Sequence, residues 1–163
     1  MDAAINGIKA MLLDALQAVQ GADKLGQASA DEIERQACHP ALKRALQQGT
    51  AVMDTWQKRL QEAGAAMGNG SEAHGDNPVI AAINEVGSTI LSRAPDAVTR
   101  DLGIIATGQL ALHYFIWAFG TMHAYAQAAG EAKVAALLAP CLEEAKQGDR
   151  QYTRLAGEVL GQR

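Results

Sequence analysis

Among the 18 acidic side chains and 4 histidines of this 163-residue chain, Asp54, His113, Glu143 and Glu144 are the candidates for holding a metal ion. Carboxylates and imidazoles brought in from separate helices suit iron or manganese. The competing reading makes Glu143 and Glu144 a solvated helix face paired with Lys146 or Lys133. That reading is preferred. His113 sits one step off the main apolar seam described below, so it is expected to point outward and hydrogen bond along its helix. His123 lies on the seam near a helix end and is expected to be a satisfied core or rim histidine.

A second set of residues could line a pocket for an apolar ligand: Trp56, Phe115, Trp117, Phe119 and Met122. Aromatic clusters at helical spacing are more often core or interface, and Trp117 and Tyr114, off the seam, suit a helix-to-helix dimer contact. The two cysteines, Cys38 and Cys141, have no metal-type spacing and no second thiol nearby in sequence. Both are expected to be reduced and to act as small buried apolar groups. No phosphate-cradling glycine loop, nucleophile-elbow motif or Cys/His metal pattern is present.

The elements that must position these residues are helical throughout. Ile5, Ile8, Leu12, Leu16 and Val19 form one stripe, predicting a helix from about Asp2 to Leu25, with Gly26 as its stop. Ser29 to Glu32 has the form of a capping box that starts the next helix. Pro40 then interrupts and reopens the chain, and Leu42, Ala45, Gly49, Val52, Trp56 and Leu60 continue a stripe to about Ala63. Residues Gly64 to Asn77 read as a loop, and Asn77-Pro78 as the cap and first turn of a short helix with Val79, Ile83, Val86 and Ile90 inward. Val98, Leu102, Ile105, Gln109, Leu112, Ile116, Phe119 and His123 are spaced 4-3-4-3-4-3-4, a seam predicting a helix from about Asp96 to Ala128. Gly130 breaks the chain. A last helix carries Val134, Leu138, Cys141, Ala145, Tyr152, Leu155 and Val159, with Pro140 inside it as a kink. The expected fold is all-α: one domain over residues 1–163, an antiparallel four-helix bundle with extra short helices in the long connection between its second and third helices.

Composition narrows the function classes. Apolar residues make up 48% and aromatics 4%, which favours close helix packing over sheets. The net charge is -4, no basic run exists and no apolar run reaches transmembrane length, so neither nucleic acid nor membrane is an expected partner. The start, Met1-Asp2-Ala3-Ala4-Ile5, lacks a signal peptide's basic and apolar regions, and the expected location is cytoplasmic.

Arg100-Asp101, Gln109, His113-Tyr114, Gly120-Thr121, and Leu142-Glu143-Glu144 with Lys146 and Asp149 resemble the YciF/YciE-type ferritin-like family of bacterial stress-associated proteins. The Arg59-Leu60 pair and the Pro78 to Leu91 insert agree with it. The resemblance implies a ferritin-like bundle, often dimeric, with inward Glu and His residues around a di-iron-type centre. Carried across position by position, that site looks dismantled. The first helix has Ala18-Val19-Gln20-Gly21 in place of an Ala-Glu-x-Gln stretch. The second has Ala51 or Val52 in place of Glu, and Asp54 or Thr55 in place of His. The third has Leu112-His113-Tyr114-Phe115 in place of Glu-His-Tyr-Glu. Glu143 and Glu144 remain in the fourth. Val19, Val52 and Leu112 thus stand as former ligand positions that are now apolar.

These readings lead to a non-catalytic, metal-free structural or interaction module, expected to be a homodimer without a cofactor. One alternative is a rearranged iron or manganese site built from Asp54, Glu143, Glu144 and His113, serving iron handling or oxidative defence. The other is a small apolar ligand held in the former metal cavity.

Overall fold

The computed structural model describes residues 2–68 and 77–161, the side chains of 2 and 23–29 excepted. Among the described residues there are five helices and no strand: α1 (Asp2–Gln36), α2 (Pro40–Ala66), α3 (Pro78–Arg93), α4 (Ala97–Ala128) and α5 (Ala132–Gly161). Around the bundle, α1 packs on α2, α2 on α5, α5 on α4 and α4 on α1, while α3 lies outside against α4 and α1.

Long-range contacts fix the directions. Lys9, early in α1, pairs with Glu131, just after α4, whereas the residues after α1 meet Asp101 in the first turns of α4. Near its start, α2 bonds to the far part of α5 through Gln48 and Gln151; further along, Arg59 meets Glu144. Neighbouring bundle helices are therefore antiparallel. Helices α2 and α4 start at the same end, so the connection between them must run the length of the bundle, and α3 makes most of that return. This is the ferritin-like arrangement.

Two apolar clusters fill the interior. The larger one includes Leu12, Leu16, Val19, Trp56, Phe119 and Cys141; the smaller, near the start of α2, includes Leu42, Ile105, Leu155 and Val159. Each fully buried Leu or Val contributes about 1.5–3 kcal/mol relative to exposure. The expected stripes on α2 and α5 face these clusters, as does that on α1 from Leu12 onward; Ile5 and Ile8 are half-buried and belong to neither.

Several boundaries and phases differ from the sequence reading. Helix α1 does not stop at Gly26; its backbone continues to Gln36. One glycine inside a helix costs only about 1 kcal/mol, which a long packed helix absorbs. The Ser29 capping box lies outside the described side chains. The chain breaks at Cys38-His39-Pro40, the second of the expected interruptions, where the Asp101 carboxylate accepts both freed amides, from Cys38 at 2.7 Å and His39 at 2.9 Å. Helix α2 runs on through Gly64 to Ala66, and residues 69–76 of the expected loop lie outside the described residues. Among the described residues, one helix, α3, occupies the long connection.

On α4 the inward row is Asp101, Ile105, Gly108, Leu112, Phe115, Phe119, Met122 and Ala126, again spaced 4-3-4-3-4-3-4. It shares only Ile105, Leu112 and Phe119 with the expected seam; Val98, Leu102, Gln109, Ile116 and His123 are half-buried. The reason is that residues 102–128 contain no Asp, Glu, Lys or Arg. Apolar side chains point in every direction from α4, so two phases fit the spacing equally. By length and composition α4 could also cross a membrane, contrary to the expectation that no segment could; here it packs on three neighbouring helices. Helix α3 shows a similar slip. Ile80 and Gly87 are buried, Ile83 and Ile90 are half-buried, and Val79 and Val86 are exposed rather than inward. A Cβ at Gly87 would sit 2.6 Å from Thr107, and one at Gly103 2.7 Å from Ile90, so glycine on each helix lets the two approach.

Candidate functional site at the centre of the bundle

The middle of the bundle is an aromatic triad. Trp56 of α2 lies 5.2 Å from Phe115 and 5.0 Å from Phe119 of α4, in tilted and edge-on arrangements. All three are buried. A buried indole needs an acceptor for its N–H. Trp56 donates to Glu144 of α5 at 2.8 Å, and Arg59, one turn along α2, reaches the same carboxylate oxygen at 2.6 Å. This pairing holds the Arg59 guanidinium above its ordinary pKa, against the opposing effect of burial. Arg59 also lies 3.8 Å from the Cys141 sulfur. Burial pushes the Cys141 thiol up to about 11, with Arg59 pulling weakly the other way. The thiol is therefore neutral at ordinary pH.

Polar groups around this centre are satisfied by protein. Gln20 is buried and donates to the Leu60 carbonyl at 3.1 Å. Asn77 caps α3 by accepting from the Ile80 amide, and its amide nitrogen bonds the Ala18 carbonyl and the Tyr114 hydroxyl. That one side chain ties α1, α3 and α4 together. Tyr114 is raised above its ordinary pKa by burial, with the Asn77 bond opposing. On the outer side of α4 and α5, Gln109 donates to Asp149 and Thr153, and His113 lies 3.1 Å from Asp149.

The candidate metal donors are scattered among these arrangements. Asp54 is exposed on α2. Glu143 is exposed and pairs with Lys146 at 2.7 Å, which holds its carboxyl below the usual range. Glu144 faces the opposite way, toward Trp56 and Arg59, correcting the expectation of a shared solvated face. His113 is exposed as expected, but its partner is Asp149 on another helix rather than a residue along its own. Among the described residues no three His, Cys, Asp or Glu side chains gather to hold a metal ion. Val19 is buried in the main cluster, and Val52 and Leu112 pack against it. These residues do not fit a carboxylate-bridged metal pair, whose positive charge would need several converging carboxylates. Among the candidate donors only Glu144 turns inward, and it already has a guanidinium and an indole N–H as partners; the buried Asp101 carboxylate is taken by the Cys38 and His39 amides.

Of the five aromatic and methionine candidates, Trp56, Phe115, Phe119 and Met122 are core, while Trp117 is exposed with its ring 5.8 Å from that of Tyr114. Cys141 is buried as expected; Cys38 is exposed, because it lies at the turn into α2 rather than within a helix. Sequence reasoning missed the Arg59–Glu144–Trp56 contact and the Asp101 cap. For Arg59 and Asp101 the available signal was their place in short motif pairs, which says nothing of the partner. The Asn77-Pro78 signature predicted the helix cap but not the two further bonds.

No match to a curated protein is found. The crystal structure of the E. coli stress protein YciF superposes with a TM-score of 0.90 at 22% identity, covering 96% of this chain and 98% of that one. YcfI, a proposed structural protein from Rhodopseudomonas palustris, superposes with a TM-score of 0.82 at 21% identity, covering 90% and 92%. Identities this low carry the fold and no activity. The family model described as "Domain of unknown function (DUF892)" matches residues 8–163. Because that match spans nearly the whole chain, the protein belongs to the DUF892, or YciF-type, family.

Proposed function

We propose that this protein is a non-catalytic member of its family, a helical bundle that has lost most of the di-iron ligands and serves as a structural or interaction module in a stress-associated setting. The observation that carries this reading is the pairing of Glu144 with Arg59 and Trp56, beside Val19, Val52 and Leu112. A guanidinium supplies the positive charge that a metal would otherwise bring, and apolar side chains stand at three of the other aligned ligand positions. Uncompensated cation burial against such surroundings is prohibitively unfavourable. The stress setting is taken from the name of one structural neighbour, and the structural role agrees with the description of another. The test is ferrous-iron oxidation in air, followed by absorbance. The expected rate equals that of buffer alone; a protein-dependent, saturable rate would refute the proposal.

A further inference from the structure

Near the start of α2, the groove between α2 and α5 carries charges that the bundle itself does not pair. Gln151 donates to Gln48 at 3.4 Å across these two antiparallel helices. Counting outward from that pair, position 44 of α2 falls level with 155 of α5, and position 41 level with 158. Arg44 and Arg154 therefore flank the groove at one height, over the buried Leu155. About one turn further on, Ala41 stands opposite Glu158, and its short side chain leaves a recess. The groove encloses about 420 Å³. Small-molecule sites span roughly 300–1,000 Å³. Arg44, Arg154 and Glu158 are exposed, and among the described residues none of them joins an ion pair, whereas Lys9, Arg35, Arg59 and Lys146 each do. Two arginines against one glutamate leave the groove positive in a chain of net charge -4.

We propose that this groove binds a soluble phosphomonoester that also carries hydroxyl groups, such as a phosphorylated sugar. Two guanidiniums facing one cleft without a carboxylate partner repel each other, and a dianion between them removes that repulsion. Their planar forks meet phosphate oxygens two at a time. Glu158 lies one turn beyond Arg154, where it repels a second anionic group but accepts from hydroxyls. At the other end, Gln48 keeps its amide donors and Gln151 its carbonyl acceptor for further hydroxyls. The apolar side of a sugar ring fits over Leu155. A monocarboxylate satisfies one arginine and leaves the other. Nucleic acid needs a longer track of cations and would meet Glu158. A phospholipid headgroup shares the phosphate, but none of the large exposed apolar side chains lines this groove to hold acyl chains.

Binding here does not depend on what the bundle centre holds. Titration calorimetry of the full chain with ribose 5-phosphate, inorganic phosphate and unphosphorylated ribose tests it, at low ionic strength because salt screens exposed charges. Ribose 5-phosphate is expected to bind saturably at one per chain, inorganic phosphate more weakly, and ribose not at all. Arg44→Gln and Arg154→Gln should each weaken ribose 5-phosphate about tenfold or more with unchanged helical circular dichroism. Arg93→Gln removes the same charge from α3, away from the groove, and should leave binding as it is. Glu158→Gln should weaken ribose 5-phosphate while leaving inorganic phosphate as tight or tighter. The proposal is overturned by the absence of saturable binding, by binding that survives both groove variants, or by an equal loss in Arg93→Gln, which would mean diffuse charge attraction only. A Glu158→Gln protein that binds both phosphates more tightly would remove the assigned hydroxyl contact. Co-sedimentation with phosphatidic acid vesicles in the absence of any ribose 5-phosphate binding would assign the groove to lipid instead.

Discussion

Glu144 accepts from both Trp56 and Arg59 through one oxygen, which couples a buried aromatic residue to a half-shielded ion pair. Removing one partner strands the other, so the single and double changes should not add. Arg59→Met is expected to cost about 1–3 kcal/mol, because the carboxylate keeps its shielding and loses its charge partner. The double variant Arg59→Met with Glu144→Gln should cost less than the sum of the two singles by about 1 kcal/mol, since Gln still accepts from the indole. Urea unfolding of the four proteins checks this, and simple additivity would deny the coupling. A second consequence concerns the thiols. Only the thiolate reacts quickly with disulfide reagents. Cys38 is exposed, whereas Cys141 is buried with its thiol raised to about 11. At pH 8 one thiol per chain should react rapidly and the second only on unfolding. Peptide mapping should assign the fast site to Cys38; rapid labelling of Cys141 would contradict the described packing. The exposure of Cys38 was misjudged from sequence although the break at Pro40 was read, because a residue at a helix break can face either way; here its amide turns to Asp101, 63 residues away, and its side chain to solvent.

At the scale of elements, α4 and α5 form the most extensive helix pair, and their approach depends on glycines. A Cβ at Gly108 would press into the Tyr152 ring, and one at Gly148 would lie 3.2 Å from Leu112. Gly108→Ala gains helix propensity of about 1 kcal/mol but must displace a ring in a packed interface, at about 1–3 kcal/mol. A net loss in thermal stability is expected. Gly49, inside α2, has nothing within 4 Å of its would-be Cβ, so Gly49→Ala should stabilise by about 0.5–1 kcal/mol. Paired melting curves check both signs at once, and a stabilising Gly108→Ala would contradict the α4–α5 packing. Helices with a charged outer face, α2 and α5, were read from sequence with the right inner stripe. On α3 and α4 the phase slipped, because too few charges mark which side faces water. The break at Pro40 was legible; that α1 would continue through Gly26 was not, since tertiary packing outweighs one unfavourable residue.

For the whole molecule, the ring order α1–α2–α5–α4 with a long return through α3 gives a ferritin-like bundle whose interior is filled by side chains. The resemblance over Asp101 to Asp149 placed the fold correctly, and the near-complete family match agrees. The substituted ligand positions could be listed from sequence, but the arginine that meets the remaining glutamate could not, because that contact joins α2 to α5 across 85 residues. The central claim is that the bundle needs no metal. It is tested most directly by elemental analysis of protein purified without chelator, alongside melting curves with EDTA and with added iron or manganese. A ligand that binds only the folded state raises its stability, the more so the further its free concentration exceeds Kd. The expected result is far less than one metal per chain and the same melting temperature in every condition. A stoichiometric metal content, or a melting temperature that falls with EDTA and recovers with iron or manganese, would contradict it.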